Sequence, residues 1–266
     1  ATAKGVPVRT STDILALLLA GATQSLANKH KLPRLRNPVS LARLDDSPFI
    51  YVGNRKSGSV SVVDVAKRKV IAEHDVARQL AQLVSIRSGG KHLLAIDDVK
   101  NQLILLSAHG SKIQKLKNVS VPSSPVGVTA FAKGRRAAVS STWARRVTFV
   151  RVGAQSKTLQ LDGNVDLPFA PRELRCINDK YLIVAGAFGG GLAVIDVEQK
   201  KLVSLTILQG HKLRGLYVAA DRKSIFIPQQ LLFSNHYTSR ESVHWGGVMK
   251  NVRVKPQTTN AGTIAR

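Results

Sequence analysis

A period of about 44 residues constrains this chain more than any other feature. Four strand pairs recur along it: residues 50–53 with 60–65, 93–97 with 102–107, 136–140 with 146–151, and 181–185 with 191–197. Residues 224–228 begin a fifth. The anchors Ile50, Leu94, Ala138, Leu182 and Ile225 lie 44, 44, 44 and 43 residues apart. Each pair joins β-branched or aliphatic runs through a polar turn, which is what a meandering antiparallel sheet needs. Propeller blades of four strands run roughly 40–50 residues, whereas leucine-rich and ankyrin periods are shorter. A helical repeat would not carry these β-branched runs. A single blade cannot bury both of its faces, so blades stack around a central channel. The chain therefore reads as all-β: a β-propeller of ~44-residue four-stranded blades. Four blades are clear and a fifth is incomplete, with short helices at the N- and C-terminal ends.

Closure is the difficulty in this reading. Four blades and one further strand make either an open arc or a distorted five-bladed ring that uses the N-terminal segment. Propellers need closure or protected edges. The missing blades would lie upstream or come from another copy of the chain. The first residue is Ala rather than Met, which reads as processing, truncation or engineering.

Three segments follow from the change of pattern. Residues 1–40 hold an N-terminal helix at about 13–28, or a remnant leader, followed by a basic, Pro-punctuated connector. Ser11, Thr12 or Asp13 would cap that helix. Lys4 and Arg9 ahead of the apolar run at 14–22 give the leader reading. That run is too short to span a bilayer, so no transmembrane segment is expected. Residues 41–233 form the propeller. Residues 234–266 hold a short helix, read over 242–252 behind a capping box of Thr238 and Glu241, and then a linker.

Composition bounds the chemistry. A 266-residue chain with 44% hydrophobic residues buries a substantial core. One cysteine excludes an internal disulfide, and Cys176 is followed by Ile-Asn-Asp, so no Cys-x-x-Cys-His haem site is present. Lys and Arg total 40 against 16 acids, a net charge of +24. The basic residues are spread over the turns between strands rather than gathered on one segment. They read as solvated loop tips or as an attraction for an anionic partner such as acidic polysaccharide, lipid headgroups, nucleic acid or an acidic protein. Nothing resembles a recognition helix or an aromatic-interleaved RNA platform, which argues against nucleic acid.

The first blade carries a resemblance. YVGN at 51–54, SVSVVDV at 59–65 and the basic turn KRKV at 67–70 resemble the YVTN-type bacterial β-propeller repeat. FGGGLAVIDV at 188–197, HKLRG at 211–215 and HWGGV at 244–248 are similar to YVTN-type propellers of large exported bacterial proteins. The resemblance covers about residues 41–253. It implies a periplasmic or extracellular location. Some such proteins carry a c-type cytochrome module, often peroxidase-like, after the propeller. The resemblance also implies His-Gln after the first strand of the fifth blade. Gln229 and Gln230 stand there instead, which argues against a metal or haem-ligand role for this region.

No catalytic motif stands out. There is no Gly-x-Ser-x-Gly and no His-Glu-x-x-His. The glycine cluster at 186–191 precedes a strand rather than a helix, so it reads as a hairpin and not as a phosphate loop. Asp64, Asp97 and Asp196 recur at hairpin positions and read as turn caps. His236 and His244 are eight residues apart, which is not a helical metal pair. The candidates for partner binding at the channel mouth are His211, Arg214, Trp143 and Arg172. No catalytic, cofactor-binding or metal-ligating residue is assigned, and haem belongs only in a module outside this chain. The reading is a non-catalytic, exported interaction module that binds a protein or an anionic partner on its loop face. The alternative from the enzyme class is the propeller portion of a periplasmic c-type cytochrome or peroxidase-like redox protein, with the cytochrome module in cis. A basic binder of nucleic acid or anionic polymer is a third reading.

Overall fold

The computed structural model describes residues 35–45, 47–86, 91–153, 157–219, 224–232, 239–244, 249–254, 257–258 and 264–265. The helix expected at 13–28 lies outside them. The strands all belong to the unit Arg36–Arg266.

Four antiparallel sheets of four strands follow one another along the chain. The first holds β1 (Pro38–Arg43), β2 (Phe49–Asn54), β3 (Ser59–Asp64) and β4 (Lys69–Asp75). The second holds β5 (Leu80–Ser85), β6 (His92–Asp97), β7 (Gln102–His109) and β8 (Lys112–Ser120). The third holds β9 (Pro125–Phe131), β10 (Arg136–Ser141), β11 (Arg146–Gly153) and β12 (Thr158–Asp166). The fourth holds β13 (Pro171–Ile177), β14 (Tyr181–Gly186), β15 (Gly191–Asp196) and β16 (Lys201–Ile207). Spatial order equals chain order in each sheet. These are the blades of a β-propeller.

The middle strands are apolar on both sides because each blade is sandwiched. Leu93 and Ala95 of β6 pack towards Tyr51 and Val62 of the first blade. Their neighbours Leu94 and Ile96 pack the other way, against Val128, Val139 and Val150 of the third. The same alternation continues through Ala138, Phe149, Leu182 and Val184 to the fourth blade. The outermost strands read differently. In β8 every residue is exposed or only half-buried, so its lysines are solvated.

The fifth sheet departs from the sequence reading. Among the described residues it has three strands: β17 (Tyr217–Val218), β18 (Ile225–Leu232) and β19 (Met249–Val254). The helix expected over 242–252 is replaced by a short α1 (Arg240–His244) and then by β19. β19 pairs with β18 from Ile227–Val254 to Leu232–Met249. A free edge on β18 would leave a row of unpaired N–H and C=O groups, and the strand satisfies them. Blade strands thus reach past the 41–233 span read from the sequence, to Pro38 and to Val254.

The innermost strands neighbour one another in the order β1, β5, β9, β13, β17. They run in the same direction, so the hairpins sort onto two rims. One rim, the connector face, carries the links between blades and the turns at 55–58, 98–101, 142–145 and 187–190. The other carries the turns at 132–135 and 178–180. The recurrent aspartates close tight turns as expected. Asp64 accepts from Lys67 N at 3.0 Å, and Asp196 from the N–H groups of Glu198 and Gln199. Asp97 accepts from Val99, Lys100 and Arg78.

Gly58 shows how tightly the blades join. It sits at φ 64°, and a Cβ there would lie 2.1 Å from the Ala77 carbonyl oxygen. Gly189 has open space around it. Gly58→Ala should lower the unfolding free energy by about 2–4 kcal/mol, against less than about 0.5 kcal/mol for Gly189→Ala, in urea denaturation.

Candidate functional site

Arg172 breaks the repeat at a defined position. Each of the four innermost strands carries a bulge near its connector-face end. The extra residue is Val39, Ala81 and Val126 in the first three blades and Arg172 in the fourth. A bulge re-aims a side chain, and here it carries a guanidinium instead of an apolar group. The bulge is fixed by neighbours. The Arg172 carbonyl accepts from Ser140 Oγ at 2.7 Å, and Gly127 has no Cβ to block that approach.

The other candidates come to the same face. Trp143 lies in the turn between β10 and β11, where Thr142 Oγ1 donates to the Pro171 carbonyl at 2.9 Å. The indole is 70% exposed. It stacks on Phe188, in the turn between β14 and β15, with ring centroids 5.4 Å apart. Phe188 is also exposed, at 55%. The segment that links the fourth and fifth blades is held alongside. Lys212 N donates to the Phe188 carbonyl at 3.3 Å, and Arg214 N to the Pro228 carbonyl at 3.1 Å. His211 exchanges both backbone hydrogen bonds with Gln230 and leaves its imidazole exposed.

Electrostatics join Arg172 to two further arginines. Burial holds the Arg172 guanidinium below the usual arginine range, and the nearby charges of Arg214 and Arg55 push the same way against Glu173. A guanidinium stays protonated regardless. Arg55, from the turn between β2 and β3, donates to Asp98 Oδ2. The other Asp98 oxygen is buried without a hydrogen-bond partner. Two blades and the link into the fifth sheet thus bring cations to one region. Guanidinium forks suit carboxylate or phosphate oxygens, and an exposed aromatic pair offers rigid apolar area.

Sequence reasoning named Trp143, Arg172, His211 and Arg214 and missed Phe188 and Arg55. Phe188 was passed over as part of the glycine cluster, which is a hairpin turn between β14 and β15. Arg55 directly follows Asn54 in the most regular turn of the chain, and only the three-dimensional arrangement sets it near Arg172. Among the described residues no group of three His, Cys, Asp or Glu could hold a metal ion. Cys176 lies at the opposite rim, where burial pushes its thiol up to about 12. It is not a ready nucleophile at neutral pH.

No protein-family model and no curated protein matches the chain. Solved structures do. Hydrazine synthase from Kuenenia stuttgartiensis has a TM-score of 0.75 at 19% identity, over 90% of this chain and 68% of that one. A putative 6-phosphogluconolactonase from Bacteroides uniformis has a TM-score of 0.66 at 14% identity, over 85% of this chain and 68% of that one. Dihydro-heme d1 dehydrogenase NirN, solved in complex with DHE, has a TM-score of 0.57 at 16% identity, over 71% of this chain and 42% of that one. The similar structures are β-propellers, and the likeness establishes the fold.

Burial holds the Asp98 carboxyl above the ordinary aspartate value, against the opposing pull of Arg55. The folded state therefore binds this proton more tightly than the unfolded chain. The resulting stabilisation is complete below the unfolded value and is lost as pH rises through the folded one. Acidification from about pH 6 to about pH 3.5 should thus favour the wild type over Asp98→Asn in paired urea titrations. A difference that does not move with pH would contradict the assignment.

Proposed function

We propose that this chain is a non-catalytic β-propeller interaction module that binds a protein partner through its connector face. The observation that carries this is the exposed Trp143–Phe188 stack beside Arg172 and Arg214. Stacked aromatics in free solution are an unfavourable use of apolar surface. The same pair against a partner is the usual anchor of an interface, where Trp and Arg dominate the binding energy. The partner fitted to it presents carboxylates next to an aromatic or branched apolar side chain. The net charge of +24 adds long-range attraction for such a partner. An exported location accompanies this reading and is supported by the resemblance of the repeat. No helix among the described residues is long and apolar enough to cross a membrane.

A second reading is the propeller portion of a periplasmic c-type cytochrome or peroxidase-like protein whose haem module lies outside this chain. The resemblance supports it, and one of the similar structures is named as a haem d1 enzyme. Haem absorbance in the purified product of the whole gene decides it. The two readings are compatible, since a connector face can dock a module in cis.

A random-peptide display library panned on this protein should enrich sequences that combine Asp or Glu with an aromatic or branched apolar residue. Trp143→Ala should weaken the enriched peptides at least tenfold, about 1.4 kcal/mol, and Arg172→Gln should flatten their salt dependence. Peptides with no acidic preference, or binding indifferent to both substitutions, would sink the proposal. Turnover of a gluconolactone that disappears in a connector-face variant would replace it with an enzymatic one.

A further inference from the structure

The mouth of the channel opposite the connector face has no part in the function proposed above. It opens as a funnel of about 920 Å³, lined by β1, β5, β9, β13 and β17. Ligand pockets typically measure roughly 300–1,000 Å³ and form where structural elements converge. The lining is polar at the rim, where Thr129 and Asn178 contribute.

Three cations stand on this funnel: Arg43 from the end of β1, Lys133 from the turn between β9 and β10, and Arg175 from β13. None of them has a carboxylate partner among the described residues. This contrasts with Arg36, Arg55, Arg136, Arg146 and Arg151, which all form ion pairs. A chain this basic has unpaired cations elsewhere, but these three project from three different blades onto one concave wall. The acid at the rim, Asp179, has a structural task. Its Oδ1 accepts from Ala132 N at 2.8 Å, which ties the turn of the third blade to that of the fourth.

The rim is also held in an unfavourable backbone conformation. Ala132 and Lys133 have φ of 51° and 53°, and Asn178 and Asp179 have 47° and 59°. Asn and Asp tolerate this region, whereas Ala and Lys are strained there. Both strained turns line the funnel, and the Asp179–Ala132 bond fixes one against the other. That bond ties the turn carrying Lys133 to the turn of the next blade.

We propose that the funnel binds a small anion carrying two or more carboxylate or phosphate groups. Arg43, Lys133 and Arg175 belong to three blades spread around the mouth, so a ligand with several anionic groups satisfies them together. The Arg43 fork takes a group bidentately, Arg175, whose Nη1 donates to the Leu174 carbonyl at 2.8 Å, offers its remaining N–H groups, and Lys133 acts as a point charge.

The test is calorimetric titration of the folded chain with citrate and with inorganic pyrophosphate, at constant ionic strength. Saturable one-to-one binding of either is expected. It should weaken at least tenfold in the Arg43→Gln/Arg175→Gln double variant and stay within about twofold in Lys112→Gln, on the solvated outer strand β8. A second readout locates the site without any cation substitution. Bound citrate should slow amide hydrogen exchange in the turns at 132–135 and 178–180, which line the mouth. The proposal is overturned by heats that do not saturate, by equal weakening in Lys112→Gln, or by exchange in the turns at 132–135 and 178–180 that citrate leaves unchanged.

Discussion

Everything in this molecule depends on sheets packing face to face. Four apolar clusters lie between successive blades, and each takes alternate residues from the two sheets it joins. A β-strand sends neighbouring side chains to opposite faces, so a blade with a neighbour on each side must be apolar at every central position. β6, β10 and β14 are buried in unbroken series, with Asp97, Ser140 and Ser141 as polar exceptions at the connector-face ends. The first blade shows the converse. Its Tyr51 and Val62 are fully buried against the second blade. On its other face Leu41 and Val70 are 71% and 59% exposed. Wedge-like stacking then sets the innermost strands around an axis and delivers the turns to two rims.

That sorting turns a repetitive chain into a surface with addresses. The blades are close copies, so chemistry arises where a copy deviates. Arg172 replaces an apolar residue at the bulge, and Trp143 and Phe188 put aromatic rings at the turn position where the first two blades carry Lys56 and Val99. The three converge because the third and fourth blades are neighbours and their turns open on the same rim. Arg214 joins them through the link that enters the fifth sheet. The opposite rim gathers a different set, and the two are separated by the length of the innermost strands.

The fold was largely legible in the sequence because strand character and turn chemistry repeat at a fixed period. Turn aspartates such as Asp64 and Asp196 are local devices, and local devices survive in a sequence. The end of the chain was not legible. A short helix does form at Arg240–His244, yet the partner of β18 is chosen by a free sheet edge and not by local pattern. The candidate site was half legible. Trp143, Arg172, His211 and Arg214 stood out as unusual residues in connecting segments. The proximity of Arg55 to Arg172 spans 117 positions and follows only from ring geometry, as does the funnel.

The central claim is that a partner engages the connector face between the third and fifth blades. Hydrogen–deuterium exchange in the presence of a saturating acidic–aromatic peptide tests it most directly, because protection maps the contact without any substitution. The account predicts slowed exchange in the segments 142–145, 169–172, 187–190 and 208–214, with the turns at 132–135 and 178–180 unchanged. Protection centred on those two turns, or on the outer strands β4, β8 and β12, would contradict it.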